Sequence, residues 1–89
     1  MEFEWDENKN KSNHEKHGID FNDAKDVFKD DNSKVSPDLR KDYGENRWKI
    51  IGKIYGSIIS VIYTIRDKAI RIISARKASR KERDEYNNK

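Results

Sequence analysis

The chain of 89 residues contains no cysteine, one proline and four glycines. The absence of cysteine excludes a disulfide framework and a thiolate metal site, and it fits the reducing cytosol. No apolar run approaches the roughly 20 residues that a transmembrane helix needs. The start of the chain, "MEFEWDENKNK", is acidic and polar, unlike a signal peptide. We therefore expect a cytoplasmic protein with no membrane partner.

Apolar side chains make up 33% of the sequence and charged side chains 42%. This polar balance does not predict disorder, because the apolar residues are concentrated between Trp48 and Ala75. A chain of this length buries only about 60–65% of its unfolded surface, so its core must be small. We expect one folded domain over residues 1–89.

The net charge of +3 is unevenly distributed along the chain. Residues 1–46 hold 8 Lys and Arg against 13 Asp and Glu, whereas residues 47–89 hold 12 against 4. The basic half indicates a polyanionic partner. The two halves neutralising each other within the fold is an equally good explanation of the same charges.

The first half of the chain predicts a strand and two helices. "EFEW" alternates as a short strand does, Asp6 is placed to cap a helix, and Gly18 is placed to end it. This helix has almost no apolar stripe, so it must be anchored by Trp5 and Ile19 at its ends or by its two histidines facing the body. A second helix, capped by Asp20 or Asn22, runs to about residue 29 with apolar residues on one face.

The second half predicts an antiparallel meander closed by a helix. Val35 and Leu39 fit a short strand that Pro37 confines to an edge of the sheet. "RWKIIGKI" alternates, "IISVIYTIR" is the most β-branched run and hence the best central strand, and "AIRIISAR" is the last strand. From Lys77 onward the chain reads as a helix. The predicted order is β-α-α-β-β-β-β-α, an α+β fold.

Three segments together resemble one known family. "FEWDENKNKSNHEKHGIDFNDA", "YGENRWKIIG" and "VIYTIRDKAIRIISARKASRKERDEY" are similar, in order and spacing, to the BrnT family of bacterial toxins. The resemblance implies a compact RelE-like fold and a ribonuclease that arrests translation, without a cofactor. It also implies an antitoxin, BrnA, with a ribbon-helix-helix domain. Toxin and antitoxin would form a hetero-oligomer that binds operator DNA and represses its own operon.

A ribonuclease without a metal must take a proton from the ribose 2′-hydroxyl, stabilise the charged phosphate and protonate the leaving 5′-oxygen. Arginine suits the second task, because its guanidinium group matches phosphate oxygens bidentately. In RelE-type toxins Lys, Arg and Tyr often replace the histidine pair of ordinary ribonucleases. With this resemblance, the catalytic candidates are Arg71, Arg76, His17, Lys77 and Tyr63, and the substrate-binding candidates are Arg47, Arg66, Arg80 and Glu45.

Each candidate also has a structural explanation. His17 can cap the end of its helix, Tyr63 can be a core residue, and Glu45 can orient an arginine rather than take a proton. Arg71 lies in an apolar strand, so it must pair with a carboxylate or face an open groove. We expect its partner among three acidic residues, Glu45, Asp6 and Glu7.

The segment "RIISARKASRKERDEY" contains several charged residues, and its spacing predicts on which face of the strand or helix each one lies. Arg71 and Arg76 are five residues apart, so a regular strand would direct them to opposite faces. From Arg76 onward, arginines at helical spacing predict one basic stripe, Arg76, Arg80 and Arg83. The remaining helix residues predict a solvated face, made of Lys81, Glu82 and Asp84.

Two other functions use the same basic surface. A non-catalytic module would bind nucleic-acid phosphates without cleaving them, and a partner surface would bind only an acidic antitoxin segment. The sequence contains no helix-turn-helix spacing, zinc-finger ligands or RNP-type aromatic motif. His14 and His17 are three residues apart but have no third evident ligand, so we expect no metal site.

Overall fold

The computed structural model describes residues 2–88. The elements are β1 (Glu2–Glu4), α1 (Glu7–His17), α2 (Phe21–Ala24), a 3₁₀ helix (Lys25–Lys29), β2 (Lys34–Pro37), β3 (Trp48–Ile54), β4 (Ser57–Arg66), β5 (Ala69–Lys77) and α3 (Arg80–Asn87). The predicted α+β class is confirmed, and the RelE-like assignment stays a prediction. No helix within residues 2–88 has both the length and the apolar character needed to cross a membrane.

The five strands form one sheet in the order β1-β5-β4-β3-β2. β1 pairs with β5 in parallel, and the other neighbours are antiparallel. The β-branched run 57–66 is the central strand, as its composition predicts. β2 lies at the edge and ends at Pro37, where the missing N–H group does no harm. Leu39 lies beyond this strand and is 84% exposed.

The main core lies on one face of the sheet, beneath α1, α2 and the 3₁₀ helix. Its fully buried side chains include Phe21, Val27 and Val61. Gly52 lets the 3₁₀ helix approach β3 closely, since a Cβ atom there would lie 3.1 Å from the Val27 Cβ and 3.2 Å from the Val27 carbonyl oxygen. Trp48, Ile50 and Ile54 of β3 face this core, as predicted.

The predicted caps and end contacts of α1 are confirmed. Asp6 accepts hydrogen bonds from the backbone N–H groups of Asn8 and Lys9, and Gly18 adopts the left-handed conformation with φ of 72°. Trp5 packs edge-on against Phe21 with ring centroids 6.2 Å apart. The helix is therefore held at both ends despite its polar sequence.

Two buried asparagines hold the middle of α1, a role that we did not predict. Asn13 donates to the Ala75 carbonyl oxygen at 2.8 Å and accepts from the Ala75 N–H at 3.1 Å. Asn10 accepts from the Phe21 N–H at 2.9 Å. The alternative that both histidines face the body is wrong for His14, which is exposed.

The opposite face of the sheet is covered by α3 at one end only. Ala78 and Tyr86 pack on Ile51 there, and the Tyr86 hydroxyl donates to Asp30 Oδ2 at 2.6 Å. α3 begins at Arg80, and Lys77 is the last residue of β5 rather than the start of the helix. We call this side of the sheet the open face; the strand residues on it include Lys49, Ile51, Ser60, Ile62, Thr64, Arg71, Ser74 and Arg76.

An irregularity in β5 corrects the prediction about its two arginines. Ile62 pairs with Ser74 but Tyr63 pairs with Ile72, so Ile73 is an extra residue, a β-bulge. The bulge shifts the alternation by one residue. Arg71 and Arg76 consequently lie on the same face, not on opposite faces.

Candidate functional site

A depression of about 340 Å³ lies on the open face beside the end of β2. β3, β4 and β5 supply its floor, and the segment after β2 supplies its rim. Its lining is mostly basic and apolar: Pro37, Asp38, Leu39, Arg40, Lys49, Ile62 and Arg76.

The carboxylate of Glu82 lies under this depression and binds its two floor cations. Arg76 donates from Nη1 to Oε1 at 2.7 Å and from Nη2 to Oε2 at 3.0 Å. Lys49 Nζ lies 3.1 Å from Oε2, and the Ser60 hydroxyl donates to the same oxygen at 3.2 Å. Glu82 is only 4% exposed, so the prediction that it belongs to a solvated helix face is wrong.

The start of α3 places this carboxylate. Ser79 caps the helix by accepting from the Glu82 N–H at 3.2 Å, and its own N–H donates to Glu82 Oε1 at 2.9 Å. This reciprocal pair is a capping box. It directs the Glu82 side chain back from the helix onto the sheet.

The pKa of the Glu82 carboxyl is lowered to about 2. Burial alone would raise this pKa, since it disfavours the charged form. The hydrogen bonds from Arg76, Ser79 and Lys49 to the carboxylate outweigh burial. Glu82 is therefore ionised throughout the neutral range and acts as an anion that holds cations.

Arg76 keeps donors available beside this ion pair. Its guanidinium uses Nη1 and Nη2 for Glu82, and Nη1 also reaches the Lys77 carbonyl oxygen at 3.1 Å. Within residues 2–88, Nε of Arg76 makes no hydrogen bond, and the side chain is 39% exposed. The guanidinium group thus retains an N–H edge, at Nε and Nη2, that matches two oxygens of a phosphate.

The rim of the depression carries a second bidentate ion pair. Arg40 donates from Nε to Asp38 Oδ1 at 2.7 Å and from Nη2 to Oδ2 at 2.9 Å. The Arg40 guanidinium lowers the pKa of the Asp38 carboxyl, against the effect of burial. The backbone N–H of Asp38 also donates to the Arg47 carbonyl oxygen at 2.9 Å, so the rim is tied to the start of β3.

Glu45 and Arg47 lie in an adjoining depression. Arg47 donates from Nε to Glu45 at 3.0 Å, so Glu45 orients an arginine as we expected. The Arg47 guanidinium also lies 3.9 Å from the centroid of the Tyr43 ring, a cation–π contact. Tyr43 was not predicted as a site residue, although Glu45 and Arg47, which follow it closely in the sequence, were.

Arg71 lies on the open face with its charge paired. Its Nη1 donates to Glu4 Oε2 at 2.8 Å, where β1 pairs with β5 in parallel. The expected partners, Glu45, Asp6 and Glu7, are not the ones that the structure gives. The sequence offered no sign that β1 would lie next to β5.

His17 does not line the depression that contains Arg76. It lines a separate depression with Lys9, Lys16 and Ser74. Ser74 is the cross-strand partner of Ile62, which lines the depression of Arg76. The two depressions share no lining residue, so the structure does not bring His17 to Arg76.

Tyr63 and Lys77 do not join Arg76. Tyr63 is a core residue, packed edge-on against Phe28 at 5.0 Å, and burial raises its pKa. Lys77 pairs with Ile59 and lines a depression near Gly18. Both side chains belong to the face that α1 and α2 cover, which corrects their grouping with Arg76.

The remaining predicted arginines are exposed at the margins. Arg66 ends β4 at the turn, and Arg80 begins α3. Arg83 donates to the Ala78 carbonyl oxygen at 2.9 Å, so it helps to hold the helix start. Among residues 2–88, no group of three His, Asp or Glu side chains is arranged to bind a metal.

Lys49, Glu82 and the Asp38–Arg40 pair were not predicted as site residues. The alternation of β3 could have placed Lys49 on the face opposite Trp48. The spacing Ser79-x-x-Glu82 is the sequence signature of a capping box, which turns a Glu side chain back toward the helix start. Nothing comparable marks Asp38, whose burial depends on tertiary structure.

Comparison with known proteins identifies the family. A family profile described as "Ribonuclease toxin, BrnT, of type II toxin-antitoxin system" matches residues 5–82. No curated protein matches the chain. The matched range includes the sheet from β2 to β5 and ends at the carboxylate that holds Arg76 and Lys49. This chain belongs to the BrnT family of ribonuclease toxins of type II toxin–antitoxin systems.

Proposed function

We propose that this protein is an endoribonuclease that cleaves RNA without a metal, at the depression on its open face, and so arrests translation. One observation carries the proposal. Two cations on the strands that flank β4, Arg76 on β5 and Lys49 on β3, are bound by one buried carboxylate, and both keep donors for a ligand. Such preformed donors suit a phosphate on which negative charge develops.

The charges of the depression fit a phosphodiester. Three cations line it, Arg40, Lys49 and Arg76, and two carboxylates, Asp38 and Glu82, are paired with them. The site therefore carries one net positive charge. An RNA phosphodiester carries one negative charge, so the pair would be neutral before cleavage and complementary as charge builds up.

The reaction is a phosphodiester transfer. The ribose 2′-oxygen loses its proton and attacks phosphorus, and the bond from phosphorus to the 5′-oxygen breaks. The products are a 2′,3′-cyclic phosphate and a 5′-hydroxyl. Arg76 would stabilise the pentacoordinate phosphate through Nε and Nη2, and Lys49 through the N–H groups that Glu82 does not use.

His17 is the candidate for proton transfer. It lines a depression that also contains Ser74, the cross-strand partner of Ile62 in the phosphate site. A histidine side chain can exchange protons near neutral pH. A nucleotide bound over Arg76 would extend past the bulge toward this depression.

The antitoxin partner of a type II toxin would bind the same face. We propose a BrnA-type antitoxin with a ribbon-helix-helix domain, in a hetero-oligomer that represses its own operon through that domain. An acidic segment would cover Arg76 and Lys49, because it matches their charge. Operator DNA would be bound only through the antitoxin.

A cleavage assay in excess EDTA tests the proposal. Antitoxin-free protein is incubated with a long RNA beside Arg76→Ala and Lys81→Ala, with circular dichroism as the check that each is folded. Lys81 is an exposed cation on α3, so its removal changes the net charge equally. Fragments from wild type and Lys81→Ala but not from Arg76→Ala are expected. Intact RNA in all lanes, also with translating ribosomes, would overturn the nuclease.

One observation favours a second function, a non-catalytic nucleic-acid-binding module. Both carboxylates of the depression, Asp38 and Glu82, are ion-paired, so neither is available as a general base. Such a module would retard RNA on a gel, with strong salt dependence, without shortening it. RNA that is retarded but never cut would decide for this function.

A further inference from the structure

We propose that Glu82 is a positioning residue of the phosphate site: its carboxylate, set by the start of α3, holds Arg76 and Lys49 side by side so that their free donors meet one phosphate. This inference rests on the proposed nuclease function and adds a residue to it. Glu82 would not contact RNA, because Arg76 and Lys49 cover its oxygens.

The geometry of α3 makes Glu82 a rigid support. Its Oε1 accepts from the Ser79 N–H at 2.9 Å while its own N–H donates to the Ser79 hydroxyl. The helix is in turn fixed to the body by the hydrogen bond between Tyr86 and Asp30 at 2.6 Å. The carboxylate therefore has a defined place before any ligand binds.

The two cations need this support because their side chains are long. Free Arg and Lys side chains populate many rotamers, and ordering them at the moment of binding would oppose catalysis. Arg76 is held at both terminal nitrogens, which fixes the plane of its guanidinium group. Its free Nε edge is consequently already oriented.

The contacts of Glu82 exceed what capping requires. The capping box uses one carboxylate oxygen, Oε1, for the Ser79 N–H. The other oxygen, Oε2, accepts from Ser60 and Arg76 and lies 3.1 Å from Lys49 Nζ. A residue that served only the helix would not need three further donors from three strands.

Charge and position predict opposite effects on RNA binding and cleavage. Glu82 is an anion beside a phosphate site, so its neutralisation should strengthen the attraction of RNA. If Glu82 positions Arg76 and Lys49, the same change should slow cleavage, because misplaced donors no longer meet the developing charge. RNA binding would then be unchanged or tighter while cleavage is slower. A purely electrostatic or purely structural role of Glu82 would not produce this combination.

The test compares Glu82→Gln with Glu85→Gln in single-turnover RNA cleavage. Glu85 is an exposed acid of the same helix, so both variants lose one negative charge. We expect Glu82→Gln to cleave about 100-fold more slowly with unchanged or tighter RNA binding, and Glu85→Gln to cleave at the wild-type rate. In the Arg76→Ala background, Glu82→Gln should have a much smaller further effect.

Two measurements distinguish slow cleavage caused by unfolding of the variant from slow cleavage caused by misplaced Arg76 and Lys49. Rates are taken where melting curves show every variant folded, and Val27→Ala, a change in the main core that lines neither depression, serves as the destabilised variant. The Arg76 Nε–H resonance in ¹⁵N NMR should be sharp in wild type and broadened or shifted in Glu82→Gln. Equal rates for Glu82→Gln and Glu85→Gln, in an active wild type, would overturn the positioning role alone. An inactive wild type would instead remove the proposed function, and the positioning role with it.

Discussion

Arg71 and Arg76 lie on one face of the sheet because the bulged residue Ile73 lies between them in β5. This extra residue shifts by one position the alternation of side chains between the two faces. Their cross-strand partners, Thr64 and Ser60, are four residues apart on β4, so the two arginines lie about 13 Å apart along the strands. At that distance they cannot hold the same phosphate. Without the bulge the two arginines would lie on opposite faces of the sheet. With it, both contribute to one extended basic surface.

Arg71→Ala should weaken RNA binding without abolishing cleavage. Arg71 is already paired with Glu4 at 2.8 Å and lies far from the depression, so it would contact a flanking phosphate. Removing one phosphate contact should lower the slope of log affinity against log salt by about 0.7. The measurement is a titration of a labelled RNA oligonucleotide at several salt concentrations.

Lys81→Ala is the control for this titration, because it removes an exposed charge on the outer side of α3. Its salt slope should equal that of wild type. An Arg71→Ala slope that also equals the wild-type slope would show that Arg71 serves only its ion pair with Glu4.

Tyr63→Phe should leave RNA cleavage unchanged. The Tyr63 ring packs against Phe28 on the face of the sheet opposite Arg76. Its hydroxyl is therefore badly placed to protonate a leaving group in the depression. Single-turnover rates within about twofold of wild type are expected, against the loss of 10² or more, roughly, that a catalytic acid would show. A loss of that size would show that Tyr63 takes part in catalysis.

His17→Ala should slow cleavage far more than His14→Ala. Both histidines lie in the last turn of α1, but only His17 lines the depression that contains Ser74. Loss of a proton-transfer group lowers rates by about 10² or more. Rate against pH, measured for wild type and both variants, is the readout. Indistinguishable profiles would assign His17 to the helix end alone.

The sequence predicted the elements and the central strand because these depend on local patterns. The β-branched run 57–66 became the middle of the sheet, and Asp6 and Gly18 became the caps of α1. Each of these features is specified by residues within a few positions of one another. The predicted stripe of Arg76, Arg80 and Arg83 on one helix is wrong, because Arg76 lies on β5 and α3 begins only at Arg80.

The geometry of the site depended on contacts that no local pattern encodes. Arg71 pairs with Glu4, 67 residues away, through a parallel strand pair. Glu82 looked like a solvated residue in a charged helix, yet it is buried against the sheet because Lys49 and Arg76 neutralise it there. The bulge at Ile73 leaves no signature in "RIISAR". Of the polar residues that line the depression, the sequence therefore predicted Arg76 alone.

Glu82→Gln should lower stability at neutral pH and less so in acid. The pKa of Glu82 is about 2 in the folded protein against an ordinary value of 4.5, so its stabilisation is complete above pH 4.5 and is lost as the pH falls toward 2. A shift of this size corresponds to about 3 kcal/mol of unfolding free energy. Urea unfolding of wild type and variant between pH 7 and pH 3 should show the gap narrowing below pH 4.5. A constant gap would contradict the lowered pKa.

Asn13→Ala should destabilise the fold without touching the depression of Arg76. The Asn13 carboxamide satisfies both backbone groups of Ala75, which is fully buried, at the unpaired edge of β5. Alanine would leave a buried N–H and a buried C=O without partners, at a cost of about 3 kcal/mol in unfolding free energy, offset slightly by its better helix propensity. Ser12→Ala, at the exposed neighbouring position, should change stability by only about 0.5 kcal/mol or less. Urea unfolding at neutral pH compares the two. Equal midpoints would mean that water replaces the carboxamide at the edge of β5, and that α1 is held by Trp5 and Ile19 at its ends instead.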